Sequence, residues 1–291
     1  MEGLLQTLAA GLTNGAVYGI AALGIVLVFR VSRVINLAQG EAITAGALGT
    51  WWLDARAGWP RPAAAIIAIA ATASFFGVAS RWTVLRAGSA ARADVLTASL
   101  VTLALALFGQ GLLFAAFGRE LHGSPSLLGA GPLHLAGASI PAHTVLVLGV
   151  TLAVAGLLGA TLRWTMPGLA MAACAENRTG AAAVGVDVGK VIVVTFGLAA
   201  ALGALAGVLL APITVFSYLT GFGLGLRGLA AAALVGFRSA TAGLAAGLAV
   251  GVLEAGISAY VSSGYQEPFV AALLIAALVT WPGLTPASEH R

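Results

Sequence analysis

Two groups of polar side chains stand out in an otherwise apolar sequence: Asn36, Gln39 and Glu41 at the start of one apolar run, and Glu254 inside another. Amide and carboxylate groups in such places can exchange hydrogen bonds with water and with the ammonium and carboxylate of a zwitterion. They can also carry a proton or a cation. A carboxylate in hydrocarbon costs about 2.5 to 3.5 kcal/mol even on the lenient insertion scale, so Glu254 should face the bundle interior or a wet cavity. It reads either as a hydrogen-bonding pin between helices or as a pathway group. Its place on a glycine-rich helix, three residues past Gly251, favours packing. Asn36, Gln39 and Glu41 cluster within six residues and make a polar wall, read here as lining a substrate pathway.

Other chemistries lack their residues. A phosphate-binding loop needs a Gly-rich turn closed by Lys and Ser or Thr, whereas the single lysine, Lys190, is followed by Val191 with no such turn before it. The histidines, His122, His134, His143 and His290, make no His-x-x-x-His pair for a metal. Gly256-Ile257-Ser258 resembles a hydrolase elbow but Tyr260 stands where the closing glycine belongs. Cys174, the only cysteine, reads as an inert packing residue. No catalytic residue, metal site or cofactor is expected, and ATP hydrolysis is not expected of this chain.

The elements that must position these groups follow from composition. Of 291 residues, 60% are hydrophobic and 8% charged, with mean hydropathy +1.01, against roughly 25% charged in soluble domains. So few charges cannot clothe an aqueous surface, which excludes a soluble domain, a disordered chain, a disulfide-rich secreted scaffold and a nucleic-acid-binding module. An all-α, polytopic membrane bundle is expected, one transmembrane domain over 1–291. Taking charges as punctuation and about 20 apolar residues per crossing, the spans are 5–29, 34–53, 62–80, 95–118, 142–162, 191–212, 239–260 and 268–284. Residues 213–236, with Arg227 in their middle and a glycine-rich stretch at 221–228, are expected to be broken or re-entrant. That makes eight full spans and one irregular segment.

Basic residues set the orientation. With the segment after the first span inside, the inner loops collect Arg30, Arg33, Arg81, Arg86, Arg92, Arg163, Arg178, Lys190, Arg238 and Arg291, ten of fourteen. Arg56, Arg61, Arg119 and Arg227 then fall outside. Helix packing in lipid relies on small residues, and two ladders at i, i+4 spacing provide them: Gly11, Gly15, Gly19, and Gly243, Gly247, Gly251. They read as a packed translocation core or as generic helix packing. The 163–190 loop lies on the inner face and holds a candidate short helix, Ala181–Val184, with Thr179 as polar cap and Gly185 as stop.

The run Arg33-Val34-Ile35-Asn36-Leu37-Ala38-Gln39-Gly40-Glu41, after Gly15-Ala16-Val17-Tyr18, resembles the opening of the branched-chain amino-acid permeases of ABC importers. The stretch from Ala175 through Glu176, Asn177, Arg178, Ala181, Ala182 and Gly185 to Val186 is similar to that family's loop for docking the ATPase. The run from Leu229 through Gly236, Gly243, Gly247, Gly251 and Glu254 to Tyr265 continues the likeness over nearly the whole chain. Gln39 stands where the family usually has His, and Arg238-Ser239 replaces a Gly-rich turn.

The resemblance implies a plasma-membrane (bacterial inner-membrane), multi-pass permease subunit of an ABC importer for branched-chain amino acids. Its implied partners are a second homologous permease, two ATP-binding subunits, an extracytoplasmic substrate-binding protein and the lipid bilayer. Docking would use Glu176, Asn177, Arg178, Ala181, Ala182 and Gly185. Urea, short amides or other amino acids are alternative cargoes. A different class, an ion-coupled carrier or channel, would use Glu41 or Glu254 as its proton or cation site.

Overall fold

A computed structural model describes residues 2–89, 95–125, 133–135 and 138–280. At its centre lies α1 (Glu2–Ser32), apolar on every side and correspondingly buried on every side through Ala16, Val17, Ile20, Ala21 and Val28. The helices α2 (Gln39–Ala55), α3 (Arg61–Ser89) and α4 (Val95–Phe117) follow, then a hairpin of two three-residue strands, β1 (Leu133–Leu135) and β2 (Ala138–Ile140). Next come α5 (Ala142–Trp164), the short α6 (Met166–Glu176) and α7 (Arg178–Ala183), and α8 (Val188–Leu210). The chain continues through α9 (Thr220–Leu234), α10 (Ala240–Tyr260) and, after a single 3-10 turn, α11 (Gln266–Thr280). α10 and α8 flank α1, α2 and α3 pack on α8, and α11 covers α9.

Seven segments are long and apolar enough to cross a membrane: α1, Arg61–Arg81, Thr97–Phe117, α5, α8, α10 and Ser263–Thr280. The other two apolar segments read from the sequence form shorter helices. α2 has 17 residues and α9 has 15, reaching about 26 and 22 Å at 1.5 Å per residue, short of a hydrocarbon core of roughly 30 Å. The span expected over 34–53 is built from a non-helical entry over 34–38, which adds its own length, followed by the short α2. The irregularity expected over 213–236 takes the form of turns before α9. The end of the last expected span, 281–284, lies outside the described residues.

Non-helical backbone at membrane depth survives only where protein satisfies it, and α4 does this for the entry into α2. Ile35 N donates to Ser99 Oγ at 3.1 Å, Leu37 N to Thr102 Oγ1 at 3.1 Å, and Thr102 Oγ1 donates back to Ile35 O at 2.8 Å. Residues before α9 are held by a bridge in which His122 and Phe216 exchange both backbone hydrogen bonds, with the His122 ring stacked 3.7 Å from Trp51.

The two glycine ladders are one interface. α1 and α10 run antiparallel, so that Gly11 faces Val252, Gly15 faces Leu248 and Gly251, and Gly19 faces Leu244 and Gly247. A Cβ on Gly15 would sit 2.8 Å from the Leu248 Cα, and one on Gly247 would strike the Gly19 backbone. A second glycine contact joins the short helices, where Gly40 on α2 meets Gly221 and Gly225 on α9, with Gly225 too tight for a Cβ by the Gly40 backbone at 3.0 Å.

Candidate functional site

Arg227 sits midway along α9 and Glu254 two thirds along α10, one helix carrying the cation and its neighbour the anion. The guanidinium donates from Nε at 2.8 Å and from Nη2 at 2.6 Å, both to Glu254 Oε1, and from Nη1 to Gly223 O at 3.2 Å. Both side chains are largely buried, at 15% and 5% exposure, and the guanidinium lies 5.9 Å from the Tyr18 ring centroid on α1. The orientation count sets Arg227 on the outer side, and the structure places it mid-helix and buried against its partner. A lone arginine at this depth would be costly, whereas a carboxylate of opposite sign on the adjacent helix makes its burial tenable. The sequence carried a signal for the pair, an intramembrane charge of each sign in consecutive apolar segments, but spacing along the chain gave no reason to join them.

Arg227, Glu254 and Tyr18 line a cavity of about 1260 Å³ between α1, α4, α9, α10 and α11. Asn14, Gln110, Gln266 and Glu267 add polar groups to its wall. The apolar lining includes Leu107, Ile213, Leu219, Phe222 and Ile275, all well exposed toward open space. The cavity thus offers a charged pair on one side and aliphatic and aromatic surface on the other. Glu254 holds the α9–α10 junction and faces the cavity at once. Gly247 and Gly251 stay in the α1 interface, while Gly243, with its nearest neighbour Val26 Cγ2 at 3.4 Å, is less tightly held.

Asn36, Gln39 and Glu41 lie together, all nearly inaccessible at 5%, 1% and 2% exposure, and are not among the cavity-lining residues. Asn36 Nδ2 donates to Gln39 Oε1 at 3.1 Å, Gln39 Nε2 to Ala199 O at 2.8 Å, and Asn36 Oδ1 accepts from Ala38 N at 3.2 Å. These bonds tie the start of α2 to the middle of α8. Glu41 points toward α4 beside Gly109, and its Oε2 has no hydrogen-bond partner among the described residues. That helix also carries Leu107 and Gln110 of the cavity wall.

Residues 7–278 match the family described as branched-chain amino acid transport system / permease component. The chain belongs to that permease family. The high-affinity branched-chain amino acid transport system permease protein LivH of Escherichia coli (strain K12) is 30% identical over 96% of this chain and 94% of its own length. The corresponding protein BraD of Pseudomonas aeruginosa is 28% identical over 96% and 94%. Among solved structures, PsaBC from Streptococcus pneumoniae in complex with Fab matches at a TM-score of 0.52 and 14% identity, covering 96% of this chain and 91% of that one, a likeness of fold. The permease is a multi-pass protein of the inner membrane, working as one component of a transport system.

On the permease, α6 and α7 fill the segment expected as a docking loop. Thr165 caps α6 by accepting from Gly168 N, with Pro167 in the first turn. α7 starts earlier than expected: Asn177, not Thr179, caps it, its Oδ1 accepting from Gly180 N at 2.9 Å. Gly185 ends it in the left-handed conformation at φ +88°, with Val186 N donating to Ala181 O and Gly185 N to Ala182 O, both at 3.0 Å. Ala181 packs inward, while Glu176, Ala182 and Val184 are exposed. Arg178 turns back to donate from Nε to Val31 O at 2.9 Å, tethering α7 to the end of α1. Burial and the like charge of Arg33 hold its guanidinium below the usual value. Burial also pushes the neighbouring Cys174 thiol up, against the pull of Arg178.

Proposed function

We propose that this chain is the membrane-spanning subunit of an ABC importer for branched-chain amino acids, and that it carries no catalytic step itself. The observation that carries this reading is the family match over 7–278, to which the open, charge-bearing cavity within a bundle of membrane-crossing helices adds a place for cargo. In this reading it pairs with a second, homologous permease, two ATP-hydrolysing subunits and an extracytoplasmic binding protein.

The 163–190 segment is the ATPase seat in this reading. Its exposed Ala182 and Val184 offer small and apolar contact, Glu176 a rim charge, and the Arg178–Val31 tether a rigid link by which movement at α7 reaches α1. Closure of the ATPases would rock the bundle between outward and inward openings. Glu41 lies on the cargo route behind α4, with Asn36 and Gln39 fixing the chain that presents it. ATP-dependent uptake of radiolabelled L-leucine into vesicles holding the assembled transporter tests the proposal. Uptake of urea or a short amide in place of leucine, or leucine uptake driven by an ion gradient without ATPases, would overturn it.

A further inference from the structure

Hydrogen-bond accounting at the Arg227–Glu254 pair leaves a specific remainder. A guanidinium has five N–H donors, and three are used within the described residues: Nε–H and one Nη2–H on Glu254 Oε1, and one Nη1–H on Gly223 O. One N–H on each terminal nitrogen is left over. Glu254 accepts both of its bonds on Oε1, and Oε2, although buried, has no hydrogen-bond partner. An arrangement built only to neutralise two charges would gain from a fork-to-fork pairing that uses both carboxylate oxygens. Here the two bonds converge on one oxygen, and the second oxygen, buried on a residue that lines the cavity, is left without a bond, with the Tyr18 hydroxyl next to both members of the pair.

What remains, with Glu267 also on the cavity wall, suits a ligand that carries both an anion and a cation. Two guanidinium N–H groups suit a carboxylate, and one carboxylate oxygen suits an ammonium. An α-amino acid carries those two groups on adjacent atoms, and its net neutrality leaves the charge balance of the pair unchanged, so entry adds no net charge to the low-dielectric interior. The apolar side chain then has Leu107, Ile213, Leu219, Phe222 and Ile275 to lie against. The Tyr18 ring on α1 lies 5.9 Å from the guanidinium.

We infer that Arg227 and Glu254 form a zwitterion-reading site in the permease, Arg227 taking the carboxylate and Glu254 Oε2 the ammonium of an apolar amino acid. The inference rests on the reading of the chain as an amino-acid permease and names the contact that reading lacks. It makes the permease a second checkpoint for the cargo's main-chain groups, independent of whatever delivers it.

The test uses the whole transporter in proteoliposomes, with L-leucine as the cargo. Arg227→Gln and Glu254→Gln each leave a buried charge unpaired and can fail by misassembly, so the deciding variant is the double R227Q/E254Q. It removes both charges together, retains comparable volume, and can still bond across the α9–α10 junction. Under the inference it assembles with its partners, while leucine uptake falls at least tenfold. If the pair only pins helices, the double variant is rescued to near-parental uptake, and that result overturns the inference. A double variant that fails to assemble also overturns it, because the charges would then be structural. Failure of the parent transporter to take up leucine at all would instead strike the proposed function.

Discussion

Gly247 on α10 lies against the backbone of Gly19 on α1 so closely that a single added methyl would overlap main-chain atoms. Backbone cannot rotate out of the way as a side chain can, so α1 and α10 would have to separate. Gly247→Ala is expected to lower stability by about 1 to 3 kcal/mol, the range for overpacking a tight core. Gly243→Ala, facing Val26 Cγ2 at 3.4 Å, should cost little, and Gly256→Ala, with nothing within 4 Å, should be neutral. Thermal melting of the purified protein in detergent ranks the three. Equal effects would mean that the ladder is not a single close-packed seam.

Ala181 and Ala182 are neighbours with opposite surroundings, the first buried at 4% exposure and the second open. Ala182→Glu should therefore abolish ATPase association without changing the melting temperature of the permease. Ala181→Glu should destabilise the α7 segment itself by burying an unpaired charge. Co-purification of the ATPase with the Ala182→Glu protein would argue that α7 is not its seat.

Topology is checked at two exposed positions. In a Cys174→Ser background, cysteine placed at Ala57, between α2 and α3, should react with a membrane-impermeant thiol reagent in intact cells. Cysteine at Gly180 should not react until the cells are opened. The reverse pattern would invert the orientation read from the basic residues.

Asp187 caps α8, its Oδ1 accepting from Lys190 N at 3.0 Å and its Oδ2 lying 3.1 Å from the Lys190 ammonium. These hydrogen bonds, the backbone one foremost, hold its carboxyl below the usual value. A depressed folded value means the cap's contribution is fully present above the unfolded carboxylate range and is lost as pH falls through the folded value. Amide exchange at residues 188–191 should therefore accelerate, beyond its intrinsic pH dependence, only below about pH 4. Asp187→Asn should retain the cap and abolish that dependence.

Membrane residence was legible from composition alone, because a chain with 8% charged residues cannot form a soluble surface. The apolar segments were legible from the placement of charges, and the glycine stop of α7 from Gly185, whose missing Cβ permits φ +88°. The i, i+4 spacing of Gly11, Gly15, Gly19 and of Gly243, Gly247, Gly251 declared two helix faces made for close approach. Local spacing determines a face because neighbouring positions on a helix are fixed by its pitch.

Which faces meet is a different matter, set by packing across the whole bundle. Only the tertiary structure joined the two ladders to each other, and only it brought Arg227 to Glu254, 27 residues away on another helix. The same holds for α2. A run of apolar residues at 34–53 meets the length criterion for a crossing, but Ser99 and Thr102 on α4 satisfy Ile35 and Leu37 and so permit a non-helical entry where a lipid-facing chain would have to be helical. Sequence specified which residues needed partners. The fold decided who the partners were, because unmet polar groups in a low-dielectric interior are resolved by contacts that no local pattern contains.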